Sequence, residues 1–326
     1  MDVRNFGAIA DDDRPDDDAI RRALATLPPG SVLVLPPGRY IQAHSLVIDR
    51  PGVTLRGVGA TLQATDPHDH ALVLQADATG VLGLRLTARP ERRGDRPEQS
   101  RLVLRGAGQR VRDVRIDGAA SAGVLVLGAS DFAITGTEVR GTLADGIHVT
   151  GASHRGCILG NRVRDAGDDL ISVVSYEADA APVRDVLVAG NEVAGGRWGR
   201  GLSVVGGEHI TLRDNRIADV LRAAGILIAR EGSWHTRGVD EVRVEGNRLE
   251  RIGRPQDAAR AAGAPTGHAA VEVHRWRVPP RLPGIGRLHV ADNRVDDSGV
   301  PALHLGDGRQ DPAVLGARVD CAAGAQ

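Results

Sequence analysis

Leu159-Gly160-Asn161-Arg162-Val163 decides the fold, because the chain writes it again as Ala189-Gly190-Asn191-Glu192-Val193, Arg213-Asp214-Asn215-Arg216-Ile217, Glu245-Gly246-Asn247-Arg248-Leu249 and Ala291-Asp292-Asn293-Arg294-Val295. A second phrase precedes or separates these, as Gly146-Ile147-His148-Val149, Leu170-Ile171-Ser172-Val173, Gly201-Leu202-Ser203-Val204 and Gly225-Ile226-Leu227-Ile228. The five asparagines are spaced by 30, 24, 32 and 46 residues. That fits a base period near 24 with insertions, the signature of stacked units that each contact only their neighbours.

Within each unit apolar residues alternate over short β-branched runs closed by Gly or Asn, as in Val186-Leu187-Val188 and Ile210-Thr211-Leu212. These runs read as strands. Three per unit describe an all-β fold, a single-stranded right-handed parallel β-helix in which each strand pairs with its counterpart one coil away. The repeated Asn suits a tight corner with a left-handed backbone and can bond to the next Asn in a ladder, so all five read as structural. Composition agrees: 42 glycines and 41% hydrophobic residues with only 2% aromatic suit a narrow interior of small branched side chains.

The expectation is one elongated domain over 1–326. Residues 1–40 form an N-terminal cap and first coil, 41–310 the coils, and 311–326 a C-terminal tail with some disorder. The cap is an amphipathic α-helix over Ala19–Leu27, with Asp16-Asp17-Asp18 ahead of it and Pro28-Pro29-Gly30 ending it. It shields strand edges that an open coil would offer to other chains.

The 41 basic and 42 acidic residues are interspersed, which argues against a nucleic-acid partner. Neither a membrane span nor a secretory leader is visible, so a cytoplasmic location is expected, or a secreted or periplasmic one if a leader was removed. Cys157 and Cys321 match no metal motif or disulfide framework and read as free thiols. Oligomeric state is not legible.

Phe6-Gly7-Ala8, the Asp-rich stretch and Val32-Leu33-Val34-Leu35-Pro36-Pro37-Gly38-Arg39-Tyr40 resemble the start of pectate-lyase-superfamily β-helix proteins, among them the family 28 glycoside hydrolases or polygalacturonases. Ala144-Asp145-Gly146-Ile147, Gly167-Asp168-Asp169-Leu170-Ile171-Ser172-Val173 and Gly199-Arg200-Gly201-Leu202-Ser203-Val204-Val205-Gly206-Gly207 are similar to three consecutive polygalacturonase motifs, in the family's order. The resemblance implies a catalytic carboxylate cluster of Asp145, Asp168 and Asp169. Two departures accompany it. Arg200 stands where the family carries His, and Leu227-Ile228-Ala229 where it carries an Arg-Ile-Lys substrate clamp.

Aligning coils on Ile147, Ile171, Leu202, Ile226, Val271 and Leu303 brings Asp145, Asp168, Asp169, Arg200 and Ser203 together, with His148 and Ser172 beside them. Crowded carboxylates repel, so one should keep its proton at neutral pH while another stays ionised. That is the acid and base pair of glycoside hydrolysis. Asp168 or Asp169 is the expected acid, with Asp145 and the other Asp as base. Arg200, Tyr176, Trp198, Ser203, Glu231, Trp234, His235 and His148 are the expected substrate-binding residues, the aromatic ones as faces for sugar rings. Insertions at Arg89–Arg101 and Arg251–Gly267 should wall the cleft.

His268, Glu272 and His274 have the residue types of a metal site, but Glu272 and His274 share parity and read as outward-facing on a strand. Asp66-Pro67-His68-Asp69 matches a short alginate C5-epimerase signature but falls in an early corner, and reads as coincidental. No cofactor is expected, with Ca²⁺ at the acidic cluster left open. The leading expectation is hydrolysis of a glycosidic bond in a carbohydrate or other hydroxyl-rich substrate. The alternatives are a lyase or C5-epimerase acting on uronic acid units, with Tyr176 or His235 as base, and a non-catalytic glycan-binding module or specialised-metabolism enzyme using the same groove.

Overall fold

The computed structural model describes residues 1–254 and 266–306. Three ten-stranded parallel sheets run through them, beginning at Val32–Val34, Gly38–Gln42 and Leu46–Ile48, and every coil contributes one strand to each sheet. All connections return to the neighbouring coil in the same sense, which makes the chain a right-handed parallel β-helix. The tail from 311 and residues 255–265 of the second insertion lie outside the described residues.

The Asn ladder is present and buried. Asn191 Oδ1 accepts from the backbone and side-chain nitrogens of Asn161, both at 2.9 Å, and Asn191 repeats the pair toward Asn215 at 3.0 and 2.9 Å. Asn215, Asn247 and Asn293 continue it. One detail differs from the sequence expectation: the left-handed residue at each corner is the one before the Asn. Gly160, Gly190 and Gly246 have φ of 60°, 64° and 64°, and Asp214 and Asp292 both have 55°. The corner therefore divides two tasks, with the preceding residue making the turn and the Asn filling its inside with hydrogen bonds.

The helix spans Asp17–Thr26 and buries Ala19, Ile20, Ala23 and Leu24 over the first coil. Its acidic lead-in does not cap it. Asp16 instead accepts from the amides of Ile9 and Ile41 at 3.0 and 2.8 Å, and Asp17 from Ala43 and His44, both at 2.9 Å. These carboxylates fasten the helix to the second-sheet strand. Cys157 is buried in the first sheet and is not the free thiol expected; Cys321 lies outside the described residues.

The third sheet carries the chemistry. Ile147, Ile171, Leu202, Ile226, Val271 and Leu303 are successive register partners, as the sequence alignment anticipated. Their side chains face the core, so the alternate residues His148, Ser172, Ser203, Leu227, Glu272 and His304 line up on the outer face. Strands Ile171–Val174, Leu202–Val205 and Ile226–Glu231 are nevertheless buried along their whole length. Tyr176 packs on the outward Val174, Val205, Leu227 and Ala229, which accounts for part of that cover.

Candidate functional site

Two residues before each third-sheet strand, the chain turns a corner, and equivalent corner residues stack. Gly123 donates to the carbonyl of Asp145, Gly146 to that of Asp169, Leu170 to that of Arg200 and Gly201 to that of Ala224. Ala122, Asp145, Asp169, Arg200 and Ala224 thus form one column with side chains on neighbouring coils, about 4.8 Å apart. Asp168 sits one residue earlier in its corner.

The two adjacent aspartates have different surroundings. Asp169 Oδ1 accepts from the Arg200 amide at 2.7 Å and lies 3.5 Å from its guanidinium, while Oδ2 accepts from the Ser203 hydroxyl at 2.6 Å. Asp168 turns the other way, to the Arg93 guanidinium at 2.7 Å, with 22% of its side chain exposed. Arg93 belongs to the first insertion, which reaches over the corner as a wall.

Asp145 Oδ1 accepts from the Asp169 amide at 3.1 Å. Its Oδ2 meets His148 Nδ1 at 2.5 Å and the Ser172 hydroxyl at 2.8 Å, and that hydroxyl is also 2.8 Å from His148 Nδ1. A carboxylate offers about four acceptor positions, so these three donors leave Asp145 about one for a water or substrate hydroxyl.

Electrostatics separates the carboxylates further. Burial, then the neighbouring charges of Asp169 and Asp145, push the Asp168 carboxyl up to about 6 against the pull of Arg93. For Asp145, burial works in the same upward direction, but contact with His148 and Ser172 outweighs it and holds the carboxyl below its ordinary value. His148 shows the reciprocal result: burial opposes its charge, Asp145, with Asp169 and Asp168 behind it, outweighs burial, and its pKa is raised. The cluster therefore has a carboxyl that keeps its proton toward neutrality beside one that is ionised.

Arg200 lies between Asp169 and Glu231, ion-paired with both. Burial opposes its charge, yet those carboxylates hold the guanidinium above its usual range. It is a bridge inside the protein's own network, and a substrate anion would have to share it. Glu231 is buried, and its amide donates to Thr236 Oγ1 at 2.8 Å. Burial, with the charges of Asp145, Asp179 and Glu231 behind it, pushes the Tyr176 hydroxyl up to about 12, which places it within the field of the cluster and keeps it protonated.

Trp198 flanks the cluster. Its neighbour Gly199 packs so tightly that a Cβ there would lie 2.3 Å from the Asp168 carbonyl carbon and 2.4 Å from the Asp169 nitrogen. Arg222 stacks over the Trp198 ring at 4.2 Å. Trp234 and His235 occupy the corner after Glu231, both exposed, with His235 in the left-handed conformation at φ 52°.

Beyond Arg200, buried Glu272 accepts from the Ala269 amide at 2.9 Å and pairs with His304 at 2.7 Å and His274 at 3.1 Å. His268 stacks on His274, with ring centres 5.5 Å apart. Among the described residues no group of three or more His, Cys, Asp or Glu is arranged to hold a metal ion. Asp66 and Asp69 accept from the amides of His68 and Ser45 at 2.7 and 3.1 Å, in a corner three coils before the cluster.

Sequence reasoning missed Arg93 and the Arg200–Glu231 bridge. The charged composition of the first insertion was the available signal for Arg93; nothing placed it beside Asp168, 75 residues away.

A family model described as a right handed beta helix region matches residues 100–272. No curated protein matches the sequence. Among solved structures, the catalytic unit of a GH87 α-1,3-glucanase from Streptomyces thermodiastaticus is similar at 16% identity and a TM-score of 0.62, covering 93% of this chain and 70% of that one. A family 28 exopolygalacturonase from Yersinia enterocolitica aligns at 14% identity and 0.54, covering 91% and 78%. The mannuronan C-5 epimerase A-module of Azotobacter vinelandii aligns at 15% and 0.52, covering 94% and 98%. At such identities the likeness is one of fold.

Proposed function

The chain belongs to the right-handed β-helix family, and on that scaffold we propose a carbohydrate-active enzyme that hydrolyses a glycosidic bond at the outer face of the third sheet. The observation that carries this reading is the pairing of Asp168, held up to about 6, with an ionised Asp145 in the next corner. Asp168 donates its proton to the glycosidic oxygen as the bond to the anomeric carbon breaks. A water attacks that carbon and passes its proton to Asp145, whose charge His148 and Ser172 support. Asp169 is a positioning residue, its lone pairs committed to Arg200 and Ser203.

A glucanase and an exopolygalacturonase on the same fold lend the reading support. Proton abstraction by Tyr176, as a lyase or epimerase would use it, is disfavoured by a hydroxyl pushed up to about 12.

The test is release of reducing ends from a panel of oligosaccharides by wild type and Asp168→Asn. Loss of a general acid should lower turnover by about 10²- to 10⁴-fold. Full activity in the variant, an unsaturated product, or saccharide binding without any turnover would each remove hydrolysis by Asp168 from consideration.

A further inference from the structure

The chain has only three tryptophans, and all three stand more than half exposed on coils seven to nine, at the two ends of the third-sheet strands: Trp198 at 55%, Trp234 at 68% and Trp276 at 52%. Trp198 precedes strand Leu202–Val205, on the rim where Asp168 lies. Trp234 and Trp276 follow Glu231 on the opposite rim, and Trp276 is the register partner of Glu231. Large exposed indoles on both borders of one strip are costly to leave in water, and their flat apolar faces suit the C–H faces of sugar rings.

Among the described residues the floor between the rims carries no spare arginine. Arg93 is paired with Asp168, and Arg200 with Asp169 and Glu231. At the middle of the strip the outward Leu227 and Ala229 are apolar and fully buried, and Tyr176, packed on them and only partly buried, is the uncharged surface there. The carboxylates of Asp145, Asp168, Asp169, Glu231 and Glu272 repel an acidic sugar. Arg222 and Arg277 are stacked on the indoles of Trp198 and Trp276, at 4.2 and 5.5 Å, on the rims rather than the floor. A guanidinium on one face of a ring leaves the other face for a sugar. His268 stacks on His274, whose ring centre is 6.4 Å from that of Trp276, so polar rings adjoin the far rim.

We infer that this strip binds an uncharged oligosaccharide, stacked between Trp198 on one rim and Trp276 on the other, and discriminates against uronates. The inference rests on the carbohydrate reading above and adds the substrate class. It is tested with full-length Asp168→Asn protein by titrating intrinsic fluorescence with neutral gluco- and manno-oligosaccharides and with oligogalacturonates and oligomannuronates of equal length. Saturable binding of a neutral sugar is expected, weakened at least tenfold by Trp198→Ala and by Trp276→Ala with melting temperature unchanged. Tighter binding of the uronates overturns the inference, as does neutral binding indifferent to both Trp substitutions, no saccharide binding at all, or a fluorescence change that follows protein concentration alone because a second copy covers the indoles. The two readings fail separately. Neutral-sugar binding with no wild-type turnover sinks hydrolysis and keeps this site, whereas cleavage of uronates by wild type does the opposite.

Discussion

Replacing Asp168 by Asn should stabilise the protein, and by an amount that depends on pH in one direction only. The native carboxyl titrates at about 6 against an ordinary value of 3.8. At about 1.4 kcal/mol per pH unit this difference is about 3 kcal/mol of preference for the neutral form. Between these two values the folded protein holds a proton that the unfolded chain has released, so wild-type stability falls as pH rises from about 4 to above 6. The loss is complete at neutral pH and absent well below 3.8. Asn has nearly the same shape and no charge to bury, so the variant avoids the loss. Near pH 3.5 the two proteins should melt together. At pH 7.5 the variant should be more stable by up to about 3 kcal/mol, which at roughly 2 °C per kcal/mol is about 6 °C in melting temperature. Thermal unfolding followed by circular dichroism at both pH values measures it, with no substrate required. An equal difference at the two pH values, or a variant less stable at pH 7.5, would refute a buried, charge-crowded Asp168.

The other predictions concern individual contacts. Arg93→Ala removes the cation hydrogen-bonded to Asp168, which lowers its pKa, so the alkaline limb of the activity profile should move up from about 6 by about 1 pH unit, the low end of what a partner charge contributes, because Arg93 is half-exposed; a limb that stays put would detach Arg93 from the acid. Asp145→Ala removes the contact that does most to raise His148 and leaves only the charges of Asp169 and Asp168 against burial, so its imidazole should titrate lower than in the wild type, read by proton NMR with His148→Gln as the assignment control. Gly199→Ala forces a methyl against the Asp168–Asp169 peptide and should cut activity far more than stability, measured as turnover against melting temperature. Asn191→Ala strips an acceptor from two buried donors of Asn161 and should cost about 3 kcal/mol, whereas Asn293→Ala, near the end of the ladder and less buried, should cost clearly less by chemical unfolding.

How far the sequence carries depends on whether a feature repeats. The Asn column was legible because five copies fixed its place, and the coil alignment through Ile147, Ile171 and Leu202 followed from the same repetition. Asp145, Asp168 and Asp169 were legible as interruptions of that pattern. Their division of labour was not. Asp168 and Asp169 are neighbours in a corner, where the alternation of a strand no longer says which side chain points where, so only the structure sends one to Arg93 and the other to Ser203. The Arg200–Glu231 bridge was hidden because it needs strand Ile226–Glu231 to run two residues past its neighbour Leu202–Val205. Arg93 was hidden because an insertion carries no register.

The corner column explains how such a cluster is tolerated at all. Ala122, Asp145, Asp169, Arg200 and Ala224 accept equivalent backbone hydrogen bonds from the next corner residue, of 2.9 to 3.1 Å, whichever side chain they carry. The coil is thus held by the peptide ladder and the core residues beside it, and the outward corner side chain is free to vary. In a stack whose stability is the sum of units and interfaces, the cost of a buried carboxyl such as Asp168 stays local to its own coil and its two neighbours. The next coil supplies Arg200 and Ser203 to the adjacent Asp169, and Arg93, from the insertion three coils earlier, reaches along the tube to Asp168 itself.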